Sequence, residues 1–116
     1  MNSLQRLIHR LRYRPWKRDL KFFWQRRTRG WDDGETFSLD YSLAKLIAPR
    51  LRRFREITIG IPNGKSERKW KEELDKMIAS FEFAGSEAVW DASPEEFKKH
   101  QEGFRLFTKN YFRLWW

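Results

Sequence analysis

Five cations crowd one short stretch: Lys45, Arg50, Arg52, Arg53 and Arg55 fall within eleven residues. Guanidinium forks hold phosphate oxygens bidentately, and an ammonium adds a compact point charge. Arg50, Arg53, Lys45 and Arg52 are therefore the candidates for gripping a phosphorylated ligand. Trp31 and Tyr41 are the rings on which a base could stack. The competing reading of the same residues is the solvated basic face of a helix. Lys65 extends the set, because Gly60, Asn63 and Gly64 precede it and a helix start follows. Small residues allow close backbone approach, and the free N–H groups of a helix start attract anions. An ordinary capped turn is the favoured reading of that loop.

A second concentration of charge lies at the N-terminus. Residues 1–30 hold ten Lys/Arg and one acid, Asp19, whereas residues 31–116 hold fifteen of each sign. The whole formal charge of +9 thus belongs to the first quarter of the chain. There Arg6, Arg10, Arg14, Lys17, Arg18 and Lys21 are candidate phosphate contacts, and Trp24 a candidate stacking ring, with Trp16, Phe22 and Phe23 nearby. Basic residues interleaved with aromatics suit nucleic acid. The same pattern in residues 3–14, with Leu4, Leu7, Ile8 and Leu11 on one helical face, also suits a membrane surface, a partner subunit or docking on the protein's own domain.

Other chemistries have little to build on. Asp32, Asp33 and Glu35 are hard-cation ligand types, but their spacing matches no complete calcium loop, and no metal is assigned. His9 and His100 fall in different elements without metal-ligand spacing. There is no cysteine, which removes disulfides, thiol nucleophiles and cysteine-bound zinc. No nucleophile elbow or dinucleotide fingerprint is present. The expectation is a protein that is not an enzyme and carries no cofactor. No run approaches the roughly 20 apolar residues of a membrane span, and the N-terminus lacks a signal peptide's apolar core. Aromatics make up 17 % of 116 residues, which points to a large-ring core, an oligomeric interface or stacking platforms.

The elements that position these residues read as all-α: a compact bundle of about four helices, 16–28, 38–56, 67–83 and 94–115, behind a basic amphipathic helix over 3–13. Residues 1–30 form a basic, aromatic segment on or beside a helical domain over 31–116. Ser38, with Thr36 as the rival, caps the central helix. Leu39, Leu43, Ile47, Leu51 and Phe54 then repeat at helical spacing, and Pro49 predicts a kink. Ser66 caps the helix striped by Trp70, Leu74, Met77, Ile78 and Phe81. Ser93-Pro94-Glu95-Glu96 combines an N-cap, an N1 proline and a capping-box glutamate. Gly103 inside the last helix predicts a close helix approach. Trp115-Trp116 predict a sticky end that docks on the domain or a second copy.

The order FSLD-x3-A-x4-PRLRRF, then IGIPNG, then W-x3-LDKMI-x2-FEF and EGFRLFTKNYFRLWW resembles a group of small tailed-phage proteins over residues 31–116. KSERKW after the turn is more basic than the group's helix start, and residues 1–30 lie outside the resemblance. It implies a role against host machinery or host immunity, in the cytoplasm of an infected bacterium. The expectation that combines this with the residues is a non-catalytic counter-defence protein. It would sequester a small anionic, nucleotide-type signal as a homo-oligomer. The alternatives are nucleic-acid binding through the basic N-terminal segment and inhibition of a host protein.

Overall fold

A computed structural model describes residues 2–6 and 15–115. Among them every regular element is a helix. The expected helix over 3–13 is described only at 3–6, where the backbone is helical; Arg10, Arg14 and Trp116 lie outside the described residues. The chain divides into two compact units, 1–38 and 39–116. The boundary falls at Ser38 rather than at Gly30, because the acidic turn is fastened to the helix before it.

In the first unit, α1 runs Pro15–Arg29. Proline suits a first helical turn because its missing N–H is unpaired there anyway. Arg26, Arg27 and Arg29 occupy the last turn, where they complement the negative end of the helix dipole. Gly30, at φ 88°, ends the helix while its N–H donates to the Arg26 carbonyl at 2.9 Å. That left-handed conformation is easy only for glycine. A four-residue helix, α2 (Gly34–Phe37), replaces the simple turn expected over 31–35. Ser38 closes α2, and the Thr36 hydroxyl donates back to the Asp33 carbonyl at 2.6 Å, so Thr36 serves α2 rather than the central helix.

The second unit is built from α3 (Leu39–Ile57), α4 (Glu67–Ala84) and α5 (Pro94–Lys109). Its core is one cluster: Ala44, Ala48 and Leu51 of α3, Leu106 of α5, and Trp70, Leu74, Met77, Ile78 and Phe81 of α4. The core of this unit is therefore three-helical, with α4 packed against both neighbours. Ala44 and Ala48 are small enough to let α3 and α4 approach closely. Phe81 meets Phe104 and Phe107 edge-on at 5.1 and 4.8 Å, a favoured aromatic geometry. Gly103 is buried where α5 meets α4; a Cβ there would run into the Ser80 side chain and the Lys76 carbonyl. The close approach expected from that glycine is present.

Capping follows local chemistry. The Ser66 hydroxyl accepts from Lys69 N at 3.1 Å, and the Ser93 hydroxyl accepts from Glu96 N at 3.2 Å. Each satisfies a backbone donor that the first turn leaves free. Pro49 lies inside α3, which stays helical through it. The stretch 86–92 contains a 3-10 helix over Glu87–Asp91. The last helix is shorter than the expected 94–115. It stops at Lys109, and a separate 3-10 turn spans Tyr111–Arg113. The break is set by Asn110, which is fully buried. Its amide donates to the Leu106 carbonyl at 2.9 Å, and its own N–H bonds the same carbonyl at 2.9 Å.

Candidate anion-binding surfaces

The cations of α3 emerge on the helix's solvent side, and most meet a carboxylate. Arg52 pairs with Glu82 of α4, Arg53 donates to Glu56 at 3.0 Å, and Arg55 lies 2.6 Å from Asp75. Arg55 Nη2 donates to Asp75 Oδ2 at 3.2 Å, while the Nε approach is off the N–H axis. Arg50 donates to the Leu46 carbonyl at 2.8 Å, one turn back. The Lys45 ammonium lies 4.6 Å from the Tyr41 ring centre, a cation–π distance. Lys45, Arg52 and Arg53 share one depression of about 410 Å³, floored by Ala48, Pro49 and Phe81. Glu56 and Glu82 stand at the same depression, so an incoming anion must displace them. Arg50 and Arg53 also border a groove with Phe54, Ile57, Leu114 and Trp115, which places the penultimate tryptophan beside α3.

Lys65 does something else. Its side chain is only 9 % exposed, and its ammonium pairs with the equally hidden Glu73 and donates to Asn110 Oδ1 at 3.2 Å. The ammonium lies 5.5 Å from the Trp70 ring centre. The structure corrects its assignment to a phosphate cradle. A lysine enclosed with a carboxylate and an amide is an internal tie, since moving it to solvent would strand the buried Glu73 charge. Gly64 adopts φ 83° to make the turn that sends Lys65 inward.

Trp31 belongs to the first unit. Its ring lies 3.7 Å from the Arg29 guanidinium, and Arg29 Nε donates to its carbonyl at 3.0 Å. The acidic turn is similarly engaged. Asp32 accepts from Arg26 at 2.5 Å, and Asp33 accepts from Arg29 at 2.6 Å and from Gln25 at 2.7 Å. The Arg29 and Gln25 hydrogen bonds hold the Asp33 carboxyl well below the usual range, at about 2, because both stabilise its charged form. Glu35 accepts from Asp32 N at 2.7 Å. These carboxylates fold the turn onto α1, which gives them a structural role.

The remaining cations of α1 face solvent. Lys17, Arg18 and Lys21 line a hollow of about 790 Å³ with Phe22, Asp33, Gly34 and Phe37. Lys21 is 3.5 Å from Asp33. Lys17 and Arg18 make no ion pair among the described residues; they lie over the rings of Trp16 and Phe22 at 5.6 and 5.9 Å. Phe37, 93 % exposed, is a wall of this hollow that residue types did not single out as a contact. Its signal is positional: a large ring directly after an acidic turn, with no helical stripe of its own. Arg6 is exposed in the described N-terminal turn, and Trp24 lies edge-on to Phe23 at 6.1 Å.

His100 stacks on Phe83 at 4.2 Å and 15°. Burial, reinforced by Lys99, holds its imidazole below the ordinary histidine range, so the ring is neutral packing at pH 7. Among the described residues no three His, Asp or Glu side chains converge on a metal position, and no helix is long and apolar enough to cross a membrane. Comparison with protein-family models, curated proteins and solved structures gives no match.

Proposed function

We propose that the protein is a non-catalytic nucleic-acid binder that engages phosphates through its first unit. One observation carries this: Lys17 and Arg18 of α1 pair with no carboxylate among the described residues, whereas Arg52, Arg53 and Arg55 of α3 each do. Residues 1–38 hold ten cations against four acids, and residues 39–116 hold fifteen against twelve. An uncompensated cluster beside aromatic rings suits a polyanion better than a single small ligand. Binding of a fluorescent oligonucleotide, followed by anisotropy, is expected to weaken steeply as salt rises, because bound counterions are released. Replacing Lys17 and Arg18 with alanine together should flatten the slope of log affinity against log salt by about two. A flat salt response in the native protein would count against phosphate recognition.

A second reading retains nucleotide capture, and the depression beside Pro49 favours it. Its volume of about 410 Å³ lies within the usual range for small-molecule sites, roughly 300–1,000 Å³. Lys45 and Arg53 would hold phosphate once Glu56 is displaced, and a second copy of the chain would close the open side. Together with the resemblance to small phage proteins, this describes a counter-defence protein that withdraws a nucleotide signal in the host cytoplasm. Calorimetry against cyclic and ADP-ribose-type nucleotides should then give binding heat that Arg53→Glu abolishes. The absence of heat from the native protein with every nucleotide ends this reading.

A further inference from the structure

We infer that the nucleic acid taken by the first unit is single-stranded, with unpaired bases stacking on the outward rings of α1. This rests on the proposed nucleic-acid reading. It adds a distinct observation: the apolar stripe of α1 is exposed. The acidic turn docks on the helix's other side, where Gln25 and Asp33 exchange hydrogen bonds at 2.7 and 2.8 Å and Arg26 and Arg29 pair with Asp32 and Asp33. That contact leaves the apolar stripe outside it. Trp16, Leu20, Phe23 and Trp24 are 60, 51, 50 and 57 % exposed. Contiguous large apolar side chains at this exposure mark a surface that meets a partner.

The chemistry of the stripe narrows its occupant. Phe23 and Trp24 meet edge-on at 74°, a contact that occupies at most one face of one ring. Lys17 and Lys21 flank the rings, which sets phosphate-binding charge beside stacking surface. A duplex presents phosphates but keeps its base faces inside the stack, so it would satisfy the cations and leave the rings wet. An unpaired strand offers both, and stacking is tolerant of sequence. A second copy of the same face would bring like charges together. A bilayer would have to accept Arg27, which follows Phe23 by one helical turn on the same face.

The test uses the full chain with oligothymidylate, a mixed-sequence duplex of equal length, and phosphatidylglycerol vesicles, reading anisotropy and tryptophan emission. The single strand is expected to bind about tenfold tighter than the duplex and to quench tryptophan emission. Trp24→Ala should remove most of that preference. Trp16→Ala is the second variant, and circular dichroism checks that each retains its helix content. Equal affinity for strand and duplex overturns the stacking inference and leaves phosphate recognition standing. Binding to neither overturns both. Vesicle binding without oligonucleotide binding assigns the stripe to a membrane surface and likewise overturns it.

Discussion

Replacing Lys65 with methionine is expected to lower the free energy of unfolding by about 3–5 kcal/mol, the range found when one partner of a buried ion pair is removed. The cause is what remains. Glu73 is left without its ammonium partner in a site where its side chain is 11 % exposed, with only the Asn110 amide at 3.4 Å beside it. The damage extends beyond the pair. Lys65 ties the 58–66 loop to α4, and through Asn110 it ties in the end of α5. The paired change Lys65→Met with Glu73→Leu should recover most of the loss, because the stranded charge goes with the carboxylate. Urea unfolding monitored by circular dichroism measures both variants. If the single variant were as stable as the native protein, the tie would be a surface contact and Lys65 would return to the list of phosphate candidates.

Gly103→Ala is the second large effect. On an exposed helix this change stabilises by about 1 kcal/mol. Here the added methyl meets the Ser80 side chain and the Lys76 carbonyl. Ser80 cannot simply rotate away without loss, since its hydroxyl donates to the His100 carbonyl at 2.8 Å. The Lys76 carbonyl is backbone within α4, so the two helices must separate. Overpacking of this kind typically costs about 1–3 kcal/mol and sometimes more, so a net loss of about 2 kcal/mol is expected. Adding Ser80→Gly relieves only the side-chain clash and should restore part of the stability. Full restoration would show that the carbonyl contact is not limiting, and unchanged stability in Gly103→Ala would show that α4 and α5 can part freely.

Both effects lie where sequence reading stops. Ser66 and Ser93 announce their helices because a cap is a bond between residues three apart. Gly30 announces the end of α1 for the same local reason. The stripes of α3 and α4 were legible because periodicity reports which face is apolar. It does not report whether that face is covered. The stripe of α1 reads like the others, yet it faces water, because the acidic turn takes the helix's polar side. Likewise Gln101 to Trp115 continues a helical period past Lys109, but Asn110 is drawn into the interior by Glu73, thirty-seven positions earlier.

The candidate surfaces divide in the same way. That arginines cluster after Pro49 is plain in the chain. That Arg52 meets Glu82 across thirty residues is not, and this pairing changes an open cationic patch into a compensated one. The grouping of Lys17, Arg18 and Lys21 is local, since a helix places these positions near one another. Their joining by Phe37 requires the turn to fold back. What the amino-acid sequence alone determined here is the helical class, the caps and the imbalance of charge, all of which arise between near neighbours. Tertiary structure decided which cations are neutralised, which lysine is internal and which aromatic face is left to water. Each of those depends on how the chain folds back on itself, where Coulomb attraction and burial act through space rather than through periodicity.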